Sequence, residues 1–149
     1  MAESISDFFK QKGARRSQAS QDLSAKKNAF VNDVEALYFT IEKEYLKEAD
    51  ATTRVDYVDT TIREEQVGEY PARQMIVRVG DEQVTFTPKG FRIFGASGRI
   101  DVRGERGDGM LVLQPDHRWG VVQGIKPTLR VIPLASETLL GLLREIMRP

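Results

Sequence analysis

The chain contains no cysteine and a single histidine, His117, among its 149 residues. Without cysteine no disulfide bond can form and no thiolate can bind a metal ion, and this composition is typical of proteins from a reducing compartment. A zinc site built on one histidine would need three carboxylate or water ligands, which is an uncommon set. We therefore expect a cytoplasmic protein without disulfides, metal ions or other cofactors.

Long apolar runs are absent as well. The longest uninterrupted apolar stretches are short ones, such as Met110–Leu113, whereas a helix needs about 20 apolar residues to cross a bilayer. The N-terminal residues place acidic side chains ahead of the few apolar ones and contain no apolar segment of secretory length, so they do not resemble a signal peptide. The sequence predicts no membrane span.

Neither sign of charge is in excess, because 22 lysine and arginine residues balance 22 aspartate and glutamate residues. The molecule as a whole therefore has no general attraction for nucleic acid or anionic lipid. The distribution along the chain is uneven, with six basic against three acidic residues in 1–30, four against eleven in 31–70, and twelve against eight in 71–149. The middle segment is acidic and the segment that follows it is mildly basic.

The N-terminal residues combine a helix signal with a linker signal. Ser4 is a good N-cap, and Gly13 is placed to end a short helix after Lys12. The segment GARRSQAS, residues 13–20, has the small and polar composition of a linker. The sequence therefore predicts a short helix and flexible arm over residues 1–19 and a single α+β domain over residues 20–149.

Three apolar residues of this arm, Ile5, Phe8 and Phe9, recur at helical spacing and form one small face. A face of this kind docks on a partner subunit or on a membrane surface. The alternative is a helix that folds back on its own domain or a frayed terminus. The functional hypothesis for these three residues is a partner-docking arm.

A long helix is predicted from Gln21 to Ala49, because this stretch has no glycine or proline and its apolar residues recur at steps of three, four or seven. Its wide apolar stripe favours packing on the sheet of the same chain and leaves an edge for a second helix or subunit. A second amphipathic helix is predicted at the C-terminal end, with Ser136 as its N-cap and Arg144 and Arg148 in its last turn.

Between the two helices the apolar period changes to two, which is typical of strands. The stretch Met75–Leu113 repeats a pattern of short strand, tight turn and short strand. Connections this short require antiparallel neighbours. We place strands at 55–62, 75–79, 84–86, 91–93, 99–103, 110–113, 119–122 and 129–132, and a polar turn at 63–71. The predicted fold class is α+β, with a bent antiparallel sheet or partly closed barrel of about seven strands on which both helices pack.

No motif for catalysis is evident. The clusters GASGR (95–99) and GERGDG (104–109) share only their glycine content with phosphate-binding loops, since neither precedes a helical pattern or carries a Lys-Ser/Thr pair. They are predicted to be hairpin turns. Ser97 lacks the strand-to-helix setting of a nucleophilic serine, and His117 lies in a proline-containing turn that is predicted to be exposed. The sequence therefore favours a protein without enzymatic activity.

Acidic residues on or beside predicted strands provide an enzymatic alternative, a metal-dependent nuclease. Carboxylates on neighbouring strands, together with a basic residue, hold Mg²⁺ in such enzymes. The residues are Asp81, Asp101 and Glu105, and Asp81 with Asp101-Val102-Arg103 distantly resembles the P-D…(D/E)-x-K nuclease pattern. No proline precedes Asp81, and the arginine that replaces the lysine cannot act as a general base.

A candidate binding surface lies at positions of the predicted sheet that face away from the core. Arginines gathered on one face suit phosphate, RNA or an acidic protein partner, whereas the simpler reading is pairing with acids of neighbouring strands. Sheets that bind nucleic acid also use exposed aromatic side chains for stacking, and the aromatic residues here fall in phase with the buried positions. The surface consists of Arg92, Arg99, Asp101 and Arg103.

Three hypotheses for function follow. The leading one is a non-catalytic protein-interaction module or accessory subunit, acting through its sheet surface or its arm and assembling as a homo-oligomer. The competing one is a phosphodiester-directed protein, either a nucleic-acid binder or a weak nuclease. The third is capture of a small ligand inside a partly closed barrel, which depends on a cavity that a sequence does not reveal.

Overall fold

The computed structural model describes residues 3–93 and 96–149. The chain begins with helix α1 (Ile5–Thr40), which a π-helical turn extends over Ile41–Tyr45. A second helix, α2 (Ser136–Ile146), follows the last strand. The strands are β1 (Thr53–Glu64), β2 (Gly68–Val79), β3 (Glu82–Gly90), β4 (Gly98–Gly104), β5 (Gly107–Leu113), β6 (Trp119–Gly124) and β7 (Arg130–Pro133).

The seven strands form one sheet in which spatial order equals chain order and every neighbouring pair is antiparallel. Short connections dictate this meander, since a parallel crossover needs a dozen or more residues. The sheet is open, with β1 and β7 at its two edges. The predicted α+β class, with an antiparallel sheet of about seven strands and helices at both ends of the chain, is confirmed.

One hydrophobic core lies between the inner face of the sheet and the two helices. Helix α1 contributes a stripe at helical spacing, from Phe30 through Val34 and Leu37 to Ile41. The strands contribute alternate residues, as the pleat requires; Ile100 and Val102 of β4 are fully buried. Helix α2 adds the stripe Leu139, Leu142 and Ile146 to the same cluster. In the described residues, no helix is apolar enough over a sufficient length to cross a membrane.

The N-terminal helix differs from its prediction. Ser4 is confirmed as the N-cap, with its Oγ accepting the Asp7 amide at 3.0 Å. The predicted stop at Gly13 and linker over residues 13–20 are wrong, because α1 continues without a break through both. A glycine inside a helix costs about 1 kcal/mol relative to alanine, which is too little to end a helix whose neighbouring residues are good helix formers.

Three strand and cap predictions need correction. Most residues of the predicted polar turn at 63–71 belong instead to β1 and β2, which form a hairpin in which Thr61 pairs with Pro71. Proline is tolerated at this position because this half of β2 pairs with β1 alone. The predicted strand at 91–93 does not form, since β3 ends at Gly90. In α2 the N-cap is Ala135 rather than Ser136, and the Thr138 hydroxyl accepts the Ala135 amide at 2.8 Å.

Candidate functional site

A groove lies on the outer face of the sheet, the face opposite the helices, across β3 to β6. We call it the outer groove. It has a volume of about 790 Å³, within the range of about 300–1,000 Å³ that is usual for small-molecule sites. Its charged lining residues are Lys89, Arg99, Asp101, Arg103, Asp108 and Lys126.

Strand β4 supplies the centre of the outer groove through simple alternation. Arg99, Asp101 and Arg103 alternate with two fully buried residues and therefore face away from the core. The Arg99 guanidinium donates to both carboxylate oxygens of Asp101, at 2.6 and 3.2 Å. Arg103 Nε donates to Asp108 of β5 at 3.2 Å. The structure thus brings together three of the four residues proposed for the sheet surface.

Arg92 does not lie with these three residues. It follows the end of β3, and its side chain donates to the Glu65 carbonyl at 2.8 Å and to Gln66 Oε1 at 3.1 Å. Its backbone amide donates to Glu64 Oε1 at 2.9 Å. Arg92 is therefore tied to the β1–β2 turn, and its predicted outward position depended on a strand at 91–93 that does not form.

Two β-bulges shape the outer groove, and sequence reasoning missed both. The β3–β4 register shifts between Pro88 and Gly90, which leaves Lys89 as an extra residue beside Arg99. The β6–β7 register shifts between Val122 and Gly124, which leaves Gln123 as an extra residue. Both extra residues line the groove. The available signal was Pro88-Lys89-Gly90, interpreted as a turn; Gly90 adopts a φ of 137° within the strand.

The N-terminal part of α1 is a second candidate site. Every residue from Glu3 to Asp22 is exposed, including Ile5 at 78%, Phe8 at 46% and Phe9 at 66%. The two phenylalanine rings meet edge to face with centroids 5.7 Å apart, and Lys12 Nζ lies 5.5 Å from the Phe8 ring centroid. We call residues 3–22 the helical arm. Its apolar residues are solvent-exposed rather than folded back on the domain.

The His117 side chain contacts α1 and does not stand alone at the tip of a loop. Its Nδ1 lies 2.8 Å from Asp33 Oδ2 on α1, although the side chain remains 64% exposed. The indole of Trp119 donates to the Asp33 carbonyl at 3.3 Å. His117 has a φ of 65°, a left-handed conformation that is uncommon outside glycine. These contacts join the β5–β6 turn to the helix, which is a structural role.

The carboxylates considered for a nuclease site are divided between two places. Asp81 and Glu105 both bind the Arg148 guanidinium, at 2.8 and 2.7 Å, and this guanidinium lowers the pKa of the Asp81 carboxyl below its ordinary value. Asp101 faces the outer groove instead. Within residues 3–93 and 96–149, no three histidine, aspartate or glutamate side chains form a group able to hold a metal ion.

Comparison of the chain with protein-family models, with curated proteins and with solved structures finds no match. The functional proposals that follow therefore depend on the geometry of the outer groove and of the helical arm.

Proposed function

We propose that the protein is a non-catalytic protein-interaction module, an accessory subunit that binds its partner through the helical arm. The observation that carries this proposal is the exposure of Ile5, Phe8 and Phe9 at the end of a helix that continues well beyond the core. The last turns of α1 are held by the core, whereas residues 3–22 are exposed throughout.

Burial supplies the driving force for docking. Removing a Phe or Ile side chain from water stabilises a complex by about 1.5–3 kcal/mol, and isolated helices shorter than about 12–15 residues are only marginally stable in water. The arm avoids the cost of nucleation because it continues the packed part of α1. It is thus presented as a preformed helix, which reduces the entropy lost when a partner binds.

The arm also specifies the chemistry of its partner. Ile5, Phe8 and Phe9 occupy positions i, i+3 and i+4, the anchor spacing of helices that bind in apolar grooves. The next two turns carry Lys10, Lys12, Arg15 and Arg16, with no acidic residue between positions 10 and 20. The complementary surface is an apolar groove with acidic side chains at its rim. A second copy of the chain offers acidic residues of this kind in segment 31–70.

Light scattering on the purified protein tests self-association directly. A homo-oligomer that becomes monomeric when residues 1–19 are deleted supports the second copy as partner. A strict monomer whose mass is unaffected by the deletion rules out self-association through the arm and directs the test to a different protein.

Site-specific photo-crosslinking in cells tests the arm itself. A photoreactive phenylalanine analogue at Phe8 should form an adduct with an acidic segment of one protein, and the charge reversal R16E should remove that adduct. The matched control places the analogue at Ser17, on another side of the same exposed helix. Equal adducts from both positions, or none from Phe8, would contradict docking through this face.

A further inference from the structure

We propose that the outer groove is a binding site for a small organic phosphate, a molecule of nucleotide size that combines phosphate groups with an apolar body. This inference is independent of the helical arm, since the arm and the groove share no residue. Four cationic side chains and two carboxylates line the groove, so its formal charge is +2.

The cations of the outer groove retain donors that an anion can use. Arg99 gives Nε and one terminal nitrogen to Asp101, so its other terminal nitrogen is left for a ligand. Arg103 gives Nε to Asp108, and both of its terminal nitrogens remain. Within the described residues, Lys89 and Lys126 form no ion pair. The acids thus orient the arginines without neutralising the site. Hydrogen bonds from charged guanidinium and ammonium groups to phosphate are stronger than hydrogen bonds between neutral groups.

Two β-bulges position two of the residues that line the outer groove. The extra residue of the β3 bulge is Lys89, and the extra residue of the β6 bulge is Gln123. Bulges are over-represented beside binding and active sites because they re-aim a side chain. Two bulges on opposite sides of one groove, each contributing a polar lining residue, indicate a formed site rather than a random patch of surface charge.

The remaining lining residues suit an apolar ligand body. Met110 of β5 and Val122 of β6 lie among the charged residues, and Ile125 follows β6 with 59% of its surface exposed. Small-molecule sites combine such apolar walls with a few converging polar groups. Among the described residues, the lining contains no aromatic side chain, so these residues do not form the stacking platform that single-stranded nucleic acids use. The geometry therefore favours a small ligand over a polymer.

Isothermal titration calorimetry at about 50 mM salt tests the proposal, because contacts to phosphate weaken as salt rises. The probes are ATP, AMP, adenosine, inorganic phosphate and a single-stranded oligonucleotide. We expect ATP to bind with a Kd of about 0.1 mM or tighter, AMP to bind more weakly, and adenosine and inorganic phosphate each to bind at least about tenfold more weakly than ATP.

Charge variants assign the binding to the groove. The double variant K89A/K126A should weaken ATP binding by about tenfold or more, whereas K89R/K126R, which keeps both charges, should stay within about threefold of the parent protein. The matched control K26A/K47A removes two exposed charges outside both the groove and the helical arm and should leave binding unchanged. Circular dichroism verifies that each variant is folded.

Three results would overturn the proposal. The first is no binding of ATP at low salt. The second is equal loss of affinity in K89A/K126A and K26A/K47A, which would indicate a general charge effect. The third is an affinity for oligonucleotides that exceeds that for ATP and grows with strand length, which would replace the small ligand by nucleic acid.

Discussion

Single glycines in the β4–β5 hairpin set the distance between the sheet and α2. A Cβ atom at Gly104 would lie 2.3 Å from the Ile146 carbonyl oxygen, and one at Gly109 would lie 2.4 Å from Leu142 Cδ1. Real Cβ contacts are essentially never this short. At Gly104 the contact is with backbone, so the helix would have to move, whereas at Gly109 the Leu142 side chain would have to shift. The cluster GERGDG therefore forms a hairpin turn, as predicted. It also forms a surface on which α2 packs closely, which no local sequence pattern indicates.

We predict that Gly104→Ala lowers the free energy of unfolding by about 1–3 kcal/mol, the usual cost of overpacking. The clash is with backbone, which cannot rotate away as a flexible side chain can. Gly107→Ala is the matched control in the same hairpin, because its Cβ would meet Ile146 at an ordinary 3.9 Å. Denaturant unfolding measures both variants, and equal stabilities would contradict the proposed close approach.

Tyr38 places a polar group inside the core and satisfies it there. The residue is 1% exposed, and its hydroxyl lies 2.8 Å from the Arg73 carbonyl oxygen and 3.3 Å from that of Phe86. Burial raises the pKa of this hydroxyl well above its ordinary value. The hydrogen bond connects α1 to β2, the strand next to the edge strand β1.

Tyr38→Phe should therefore lower the free energy of unfolding by about 0.5–1.5 kcal/mol, the net value of a typical hydrogen bond. The cost includes the loss of a donor to the partly buried Arg73 carbonyl. Tyr45→Phe removes a hydroxyl from a half-buried residue near the end of the π-helical turn and should have a smaller effect in the same urea titration. An equal loss in both variants would argue against the Tyr38 bond.

At the scale of elements, α1 has two halves with different roles. Buried residues begin at Phe30, and the helical arm before Leu23 is exposed. Sequence patterns located the packed half correctly because apolar periodicity reports burial. They did not show that the exposed half is helical, since small and polar residues are compatible with both a helix and a linker.

Deleting residues 1–19 should leave the thermal midpoint of unfolding nearly unchanged, because exposed residues away from the core usually contribute less than about 0.5 kcal/mol. The helical signal in far-UV circular dichroism should fall at the same time. A decrease of the midpoint by more than about 5 °C would mean that the arm packs on its own domain and would weaken the proposed docking role.

At the scale of the whole molecule, several carboxylates are stabilised in their charged form. The hydrogen bond from Tyr57 lowers the pKa of Glu42 below its ordinary 4.5, with the two oxygens 2.5 Å apart. A hydrogen bond from Arg78 likewise lowers the pKa of the Asp56 carboxyl. A group whose pKa is lower in the folded state adds stability above its unfolded pKa and loses it as the pH falls through the folded value.

The protein should consequently become less stable as the pH falls below about 4.5. Tyr57→Phe should be less stable than the parent protein at pH 7, and this difference should shrink as the pH falls and Glu42 becomes protonated. Urea unfolding at several pH values measures the difference. A value that stays constant from pH 7 to pH 3 would show that the Tyr57–Glu42 bond does not carry the effect.

The amino-acid sequence by itself determined the class of this protein: two amphipathic helices, an antiparallel sheet, and the outward positions of Arg99, Asp101 and Arg103. These follow from periodicity and from short connections, which are local properties. Tertiary structure decided what local patterns do not contain. The bulges that bring Lys89 and Gln123 to the outer groove depend on strand register, and register is settled by how whole strands bury their apolar faces. Contacts between residues far apart in the chain likewise determine the position of Arg92 and the close packing of α2 against Gly104.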